Sequence, residues 1–310
     1  MAEVNLEAGV CLGFGGTNAR QALCTEGDIS GFTATETPTQ PAEFFAWMAH
    51  RALSAADQGC QWLVAGFPGP VSVDGTIIGP MANVAGLKDT TYNLHVEMAA
   101  ADPAAGRLLK EGFLVIGVND GDLAAQAVAS RMNRKGHNSV AALIIGSGLG
   151  AGLAVRDRRY QAVFRAERDN SLEIGHGLRS ANPLDTWENF ASGNALARRY
   201  GSDPRTLPIA HPAWRDVGQT AAIMTLNLGL VNRAELVVPT GGVGAGASNM
   251  YRQDLENVFR EIRRFGNQTQ RHLLPEIDFM PRTECDVFEM FGAEGVMHDF
   301  MTRAPEATAA

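Results

Sequence analysis

Short apolar runs that break at glycine alternate along this chain with longer amphipathic stretches. Gly9-Val10-Cys11-Leu12 is apolar, breaks at Gly13-Phe14-Gly15-Gly16, and resumes in the alternating Ala19-Arg20-Gln21-Ala22-Leu23-Cys24. A strand, a glycine turn and a second strand predict a β-hairpin. Pro41 to Ala56 predicts a helix with Phe44, Phe45, Met48, Ala49 and Ala52 on one face. Trp62 to Gly66 predicts a strand entering the loop Phe67-Pro68-Gly69-Pro70. Leu114 to Val118 is nearly all apolar, as suits the buried middle of a parallel sheet. It ends in Asn119-Asp120, and a helix is predicted from about Asp122 to Asn133.

The opening pattern then recurs. Val140 to Ile145 is a strand, Gly146-Ser147-Gly148-Leu149-Gly150 a glycine turn, and Ala151 to Val155 the return strand. Helices are predicted around Trp187 to Tyr200 and from about Trp214 to Asn232. The strand Glu235 to Val238 runs into Thr240-Gly241-Gly242-Val243-Gly244, and a helix near Gly292 to Phe300 follows. Strands alternating with helices, twice over, predict an α/β fold of two similar halves. A length of 310 residues agrees, at roughly 150 per domain.

Composition sharpens this picture through glycine. The chain holds 34 glycines in 310 residues, about 11%, against an average near 7%. They gather at 13–16, 146–152 and 241–246, each directly after an apolar strand. A side chain at such a turn would keep a phosphate from the backbone, although a tight turn alone also favours glycine. Gly146, Gly148 and Ala151 fit the dinucleotide pattern G-x-G-x-x-A, but that pattern must open a helix. Here Gly152 to Val155 continues as a strand into Arg156-Asp157-Arg158. No Walker sequence occurs, so the hairpin loops favour another nucleotide fold.

Charge and cysteine exclude other classes. The net charge of -8 argues against a broad electrostatic hold on nucleic acid. No segment approaches the roughly 20 apolar residues of a membrane span. Cys11, Cys24, Cys60 and Cys285 are scattered, without the spacing of a zinc site or a disulfide framework. The first residues lack the features of a secretion signal, so the expected compartment is the cytoplasm.

Several segments, in order, carry a resemblance. Gly15-Gly16-Thr17-Asn18-Ala19-Arg20 resembles the first phosphate loop of bacterial glucokinases. Gly66-Phe67-Pro68-Gly69-Pro70-Val71, followed by Asp74-Gly75 and Asn83-Val84-Ala85-Gly86, is similar to the P-G-P-V segment of the ROK (repressor, open reading frame, kinase) sugar kinases. Asn119-Asp120 resembles the family's N-D motif and Gly146 to Gly150 its second phosphate loop. Glu173-Ile174-Gly175-His176 matches E-x-G-H, Glu188 to Gly193 resembles E-x-x-x-S-G, and Gly241-Gly242-Val243 the adenosine loop.

The resemblance implies the two-domain actin-like ATPase (ribonuclease-H-like) fold of hexokinase type, with a cleft between domains. It places a small α/β domain at 1–118 plus a C-terminal helix at about 298–310, and a large one at 119–297. It implies ATP-dependent phosphorylation of a hexose, glucose first, in carbohydrate metabolism. Asp120 would be the general base, although a helix-capping role also suits its position. Asn83, Asn119, Glu173, His176 and Glu188 would ring the sugar; taken alone, His176 reads as a structural histidine. Gly15, Gly16, Thr17, Asn18, Gly146, Ser147, Gly148, Gly241 and Gly242 would hold ATP, with Mg²⁺ bridging its phosphates. A homodimer is implied, while DNA binding and a membrane partner are not.

Two departures stand out. The family's cysteine-rich zinc segment after E-x-G-H is absent between Gly177 and Trp187, so no zinc is expected. The family's first loop reads D-x-G-G-T, and the aspartate's position here is Gly13. Another acid substitutes for it, or turnover is impaired, or the chain is a sugar-binding pseudokinase or sensor. On the impaired reading, an aspartate restored at position 13 would raise turnover.

Overall fold

Both predicted hairpins form in the computed structural model, which describes residues 8–16, 18–81, 84–157, 164–166, 172, 174–280, 282–284 and 286–307. The chain begins with β1 (Ala8–Phe14), β2 (Asn18–Thr25), β3 (Asp28–Glu36), α1 (Pro41–Asp57) and β4 (Trp62–Phe67). The short pair β5 (Ile77–Ile78) and β6 (Tyr92–Asn93) precedes α2 (Leu94–Ala101), α3 (Pro103–Lys110), β7 (Leu114–Asn119) and α4 (Asp120–Ala127). Next come β8 (Ser139–Ile145), β9 (Leu149–Arg156), β10 (Phe164–Ala166), α5 (Trp187–Ala191), α6 (Gly193–Tyr200) and α7 (Ala213–Asn232). The last elements are β11 (Leu236–Thr240), α8 (Gly241–Gly244), α9 (Ser248–Phe265), α10 (Gln268–His272), β12 (Glu276–Ile277) and α11 (Ala293–Ala307). Residues 1–127, 157–171 and 289–310 make one compact unit, and 128–156 with 172–288 the other. No described helix is long and apolar enough to cross a membrane.

In the first unit the sheet order is β3-β2-β1-β4-β7. β1 runs antiparallel to β2 and parallel to β4, and β4 runs parallel to β7. Period-2 alternation divides β1 between two cores. Val10, Leu12 and Phe14 pack with Phe44, Met48 and Phe67, and the Phe14 and Phe67 rings stack 5.3 Å apart. Cys11 faces the other way, with Ala22, Cys24 and Trp62 against Met290 and, in the first turns of α11, Ala293 and Met297. Gly9 shares that face because Trp62 fills it: a Cβ there would lie 2.0 Å from the indole ring. α1 buries the predicted face of Phe44, Phe45, Met48, Ala49 and Ala52. The helix predicted from Asp122 starts at Asp120 and gives way to a π-helical turn at Val128–Met132. β3, which the pattern does not predict, is solvent-exposed along almost its whole length.

In the second unit β9, β8, β11 and β12 lie in that order, with β8 antiparallel to β9 and parallel to β11. Ile145, Leu149, Trp214, Tyr251, Leu255 and Phe259 are among its core residues. The single helix predicted over Trp187 to Tyr200 is two. It breaks at Ser192, whose extended backbone (ψ 159°) lets Oγ accept from the Ala195 N–H at 3.2 Å and cap α6.

Candidate functional site

In open α/β sheets, ligand-binding groups gather at the carboxyl ends of parallel strands. In the first unit β1, β4 and β7 end side by side there. The first glycine turn closes with a hydrogen bond from Gly15 N–H to the Asn18 carbonyl at 2.9 Å, and Thr37 Oγ1 donates to the Gly15 carbonyl at 2.8 Å. Gly16 follows in the turn, and exposed Asn18 opens β2. Thr17 lies outside the described residues, as does Asn83. After β4, Gly69 comes so close to the next segment that a Cβ would lie 2.6 Å from the Pro80 carbonyl oxygen.

Asn119 and Asp120 end β7 and open α4. The Asn119 amide fixes both sides: Nδ2 donates to the Gly69 carbonyl at 3.0 Å, and Oδ1 accepts from the Gly121 N–H at 2.8 Å. Asp120 Oδ1 accepts from the same Gly121 N–H at 2.8 Å. Asn119 therefore already supplies a side-chain cap at this helix start. Capping is thus shared between Asn119 and Asp120.

In the second unit, three motifs converge on the second glycine loop. Gly146 N–H donates to the Gly148 carbonyl at 3.0 Å, and the Gly146 carbonyl accepts from Gly193 N–H at 2.7 Å. The Ser147 carbonyl accepts from Asn194 N–H at 3.2 Å. Glu188 Oε2 accepts from the Leu149 N–H at 3.0 Å, so this carboxylate holds the loop itself. Gly175 presses on the same strand, where a Cβ would lie 2.0 Å from the Leu149 carbonyl oxygen. His176 is exposed at the end of a single 3₁₀ turn, Ile174–His176, and Glu173 lies outside the described residues. The third glycine segment is a short helix, α8, reached through Gly241 at φ +81°. Because β11 is parallel to β8, with Thr240 opposite Ile144, the second and third segments leave adjacent strand ends.

The glycines separate into two kinds. Gly175, Gly69 and Gly241 are required by the fold, the last by its left-handed backbone. At Gly146, Gly150 and Gly242 a Cβ would meet nothing within 4 Å. Those positions leave open space beside the chain, the room that a phosphate needs to approach it. Nearby, Thr240 Oγ1 is buried without a hydrogen-bond partner. For a magnesium ion, oxygen donors of carboxylate type are the chemical match. No group of three or more His, Cys, Asp or Glu that could hold a metal gathers among the described residues.

Position 13 holds a feature absent from the sequence motifs. A Cβ on Gly13 would lie 2.7 Å from Glu289 Oε1. That same oxygen accepts from Arg20 Nη1 at 2.9 Å, and both side chains are about a quarter to a third exposed. No local signal marks Glu289, because its partner lies 269 residues away.

Residues 9–293 match the ROK family. Among solved structures the chain is similar to a ROK family glucokinase from Streptomyces griseus, solved with glucose and AMPPNP. The two are 17% identical, with a TM-score of 0.67 over 93% of this chain and 98% of that one. A ROK hexokinase from Thermus thermophilus is 21% identical, with a TM-score of 0.68 over 93% and 96%. An inorganic polyphosphate/ATP-glucomannokinase from Arthrobacter is 18% identical, with a TM-score of 0.62 over 94% and 99%. No curated protein matches the sequence. At these identities the likeness is one of fold, the hexokinase-type actin-like ATPase fold.

Proposed function

The chain belongs to the ROK family, and from that premise we propose that it transfers the γ-phosphoryl group of ATP to a hydroxyl of a hexose, glucose first. The observation that best supports this reading is Asp120 at the carboxyl end of β7, beside an Asn119 that itself caps α4. A sugar hydroxyl is a weak nucleophile. As its oxygen bonds to phosphorus and ADP leaves, its proton must pass to a base, and Asp120 is that base. Such help is typically worth about 10²- to 10⁴-fold.

Asn83, Glu173 and His176 bind sugar hydroxyls, and Asn119 aligns the base as well as touching the sugar. Glu188 reads a hydroxyl with the oxygen that does not hold Leu149. Gly15 to Asn18 and Gly146 to Gly148 receive phosphates, and Gly241-Gly242 the adenosine side. Bound Mg²⁺ would neutralise charge on the phosphate oxygens.

Coupled ADP release over a panel of hexoses tests the reading. Sugar-dependent ADP is expected, and Asp120→Asn should lower it by about 10²- to 10⁴-fold while sugar binding persists. If no sugar yields ADP, the kinase reading fails. Gly13 favours one second reading, a sugar-binding pseudokinase; its signature is sugar-induced thermal stabilisation with no ADP from any hexose.

A further inference from the structure

Gly13 and Arg20 stand directly opposite each other across β1 and β2, so they share one face of the sheet. The same face carries Cys11, Ala22 and Cys24 and is covered by the segment from Met290 into α11. At its end, where β1 enters the first glycine turn, no side chain projects from position 13. Glu289 fills that volume instead, 2.7 Å from where a Cβ would stand, with Met290 Cε at 3.2 Å. Arg20 aims it through the 2.9 Å bond to Oε1. A carboxylate accepts about four hydrogen bonds or metal contacts, and Arg20 uses one.

Backbone geometry does not demand glycine at 13. The obstructing atom is the far end of a flexible side chain, so a residue there fits only by evicting Glu289 from Arg20. An ion pair this exposed contributes little stability by itself, so stability alone does not account for the bare position.

We propose that Glu289 is the acidic group of the first phosphate loop, supplied from the far end of the chain in place of a carboxylate at position 13, and that it binds magnesium–nucleotide. This rests on the nucleotide-binding half of the kinase reading. It also reverses the expected effect of an aspartate at position 13: with Glu289 already there, Gly13→Asp sets two carboxylates in one volume and breaks the Arg20 pair.

The test is a substitution cycle read by AMPPNP affinity with and without Mg²⁺, alongside nucleotide-free melting and hexose-dependent ADP release. Glu289→Gln keeps the shape and a hydrogen-bond acceptor for Arg20, and should weaken Mg²⁺-dependent AMPPNP binding by about 10- to 100-fold with little change in the nucleotide-free melt. Gly13→Asp alone should also weaken it. Gly13→Asp with Glu289→Ala, which moves the carboxylate onto β1, should recover most of the loss. Wild-type Mg²⁺ dependence in Glu289→Gln, or a double variant no better than Glu289→Ala, overturns the inference while the kinase reading stands. A wild type that binds Mg²⁺–AMPPNP in this pattern but phosphorylates no hexose overturns the kinase reading and leaves Glu289 in place. Absence of Mg²⁺–AMPPNP binding by the wild type overturns both.

Discussion

At single residues, glycine does two jobs that composition cannot tell apart. Gly175 has a carbonyl oxygen 2.0 Å from where its Cβ would be, whereas Gly242 has nothing within 4 Å. Gly175→Ala should therefore destabilise the fold by about 1–3 kcal/mol through overpacking, and a lowered melting temperature without ligand would show it. Gly242→Ala sits in α8, where alanine is the better helix former. It should melt like the wild type yet bind AMPPNP more weakly; an unchanged affinity would leave the open space without a ligand. The sequence locates both glycines, Gly242 behind an apolar strand and Gly175 within the E-x-G-H segment. It could not say which one faces a neighbour, because the neighbour of Gly175 is supplied by Leu149 at the start of β9, far along the chain from its own turn. Glu289 was illegible for the same reason. Nothing around it in the chain speaks of Gly13.

At the level of elements, legibility followed burial. β1, β4, β7, β8 and β11 are apolar runs because both of their faces are covered, and each was read within a residue or two of its ends. β3 faces solvent almost throughout, so neither alternation nor an apolar run marks it. The break between α5 and α6 has a local mark in Ser192-Gly193-Asn194, a turn-type run, but the helix-forming residues that resume at Ala195 let the pattern read as one helix. The structural demand there is tertiary: Gly193 must reach the Gly146 carbonyl, and a Cβ on it would lie 2.7 Å from that oxygen. Ser192 is 1% exposed and caps α6 through Oγ. Ser192→Ala should cost about 1 kcal/mol and loosen the second glycine loop. Thermal melting checks the first effect and faster amide exchange at Gly193 and Asn194 the second; unchanged exchange would separate the cap from the loop.

For the whole molecule, the two halves share one plan, a glycine-turn hairpin followed by parallel strands, which is why the pattern was readable twice. The cores of the first half also set the state of its thiols. Cys11, Cys24 and Cys60 are free and buried. Burial, with Glu294 adding to it, pushes the Cys24 thiol from an ordinary 9.0 up to about 12, and burial raises Cys11 and Cys60 as well. Between those values the unfolded chain sheds a proton that the native state keeps, so stability should fall as pH rises from 9 towards 12. Denaturant midpoints across that range would check the sign, and alkylation mapped by mass spectrometry should spare Cys24 at neutral pH until unfolding. The Cys24 thiol meets the Met290 carbonyl, 266 residues further along. On a ribosome adding about 5–20 residues per second, that separation is roughly 13–53 s. Throughout that interval the Cys11–Ala22–Cys24 face of the newborn sheet lacks its cover, which makes it the surface a chaperone would have to shield.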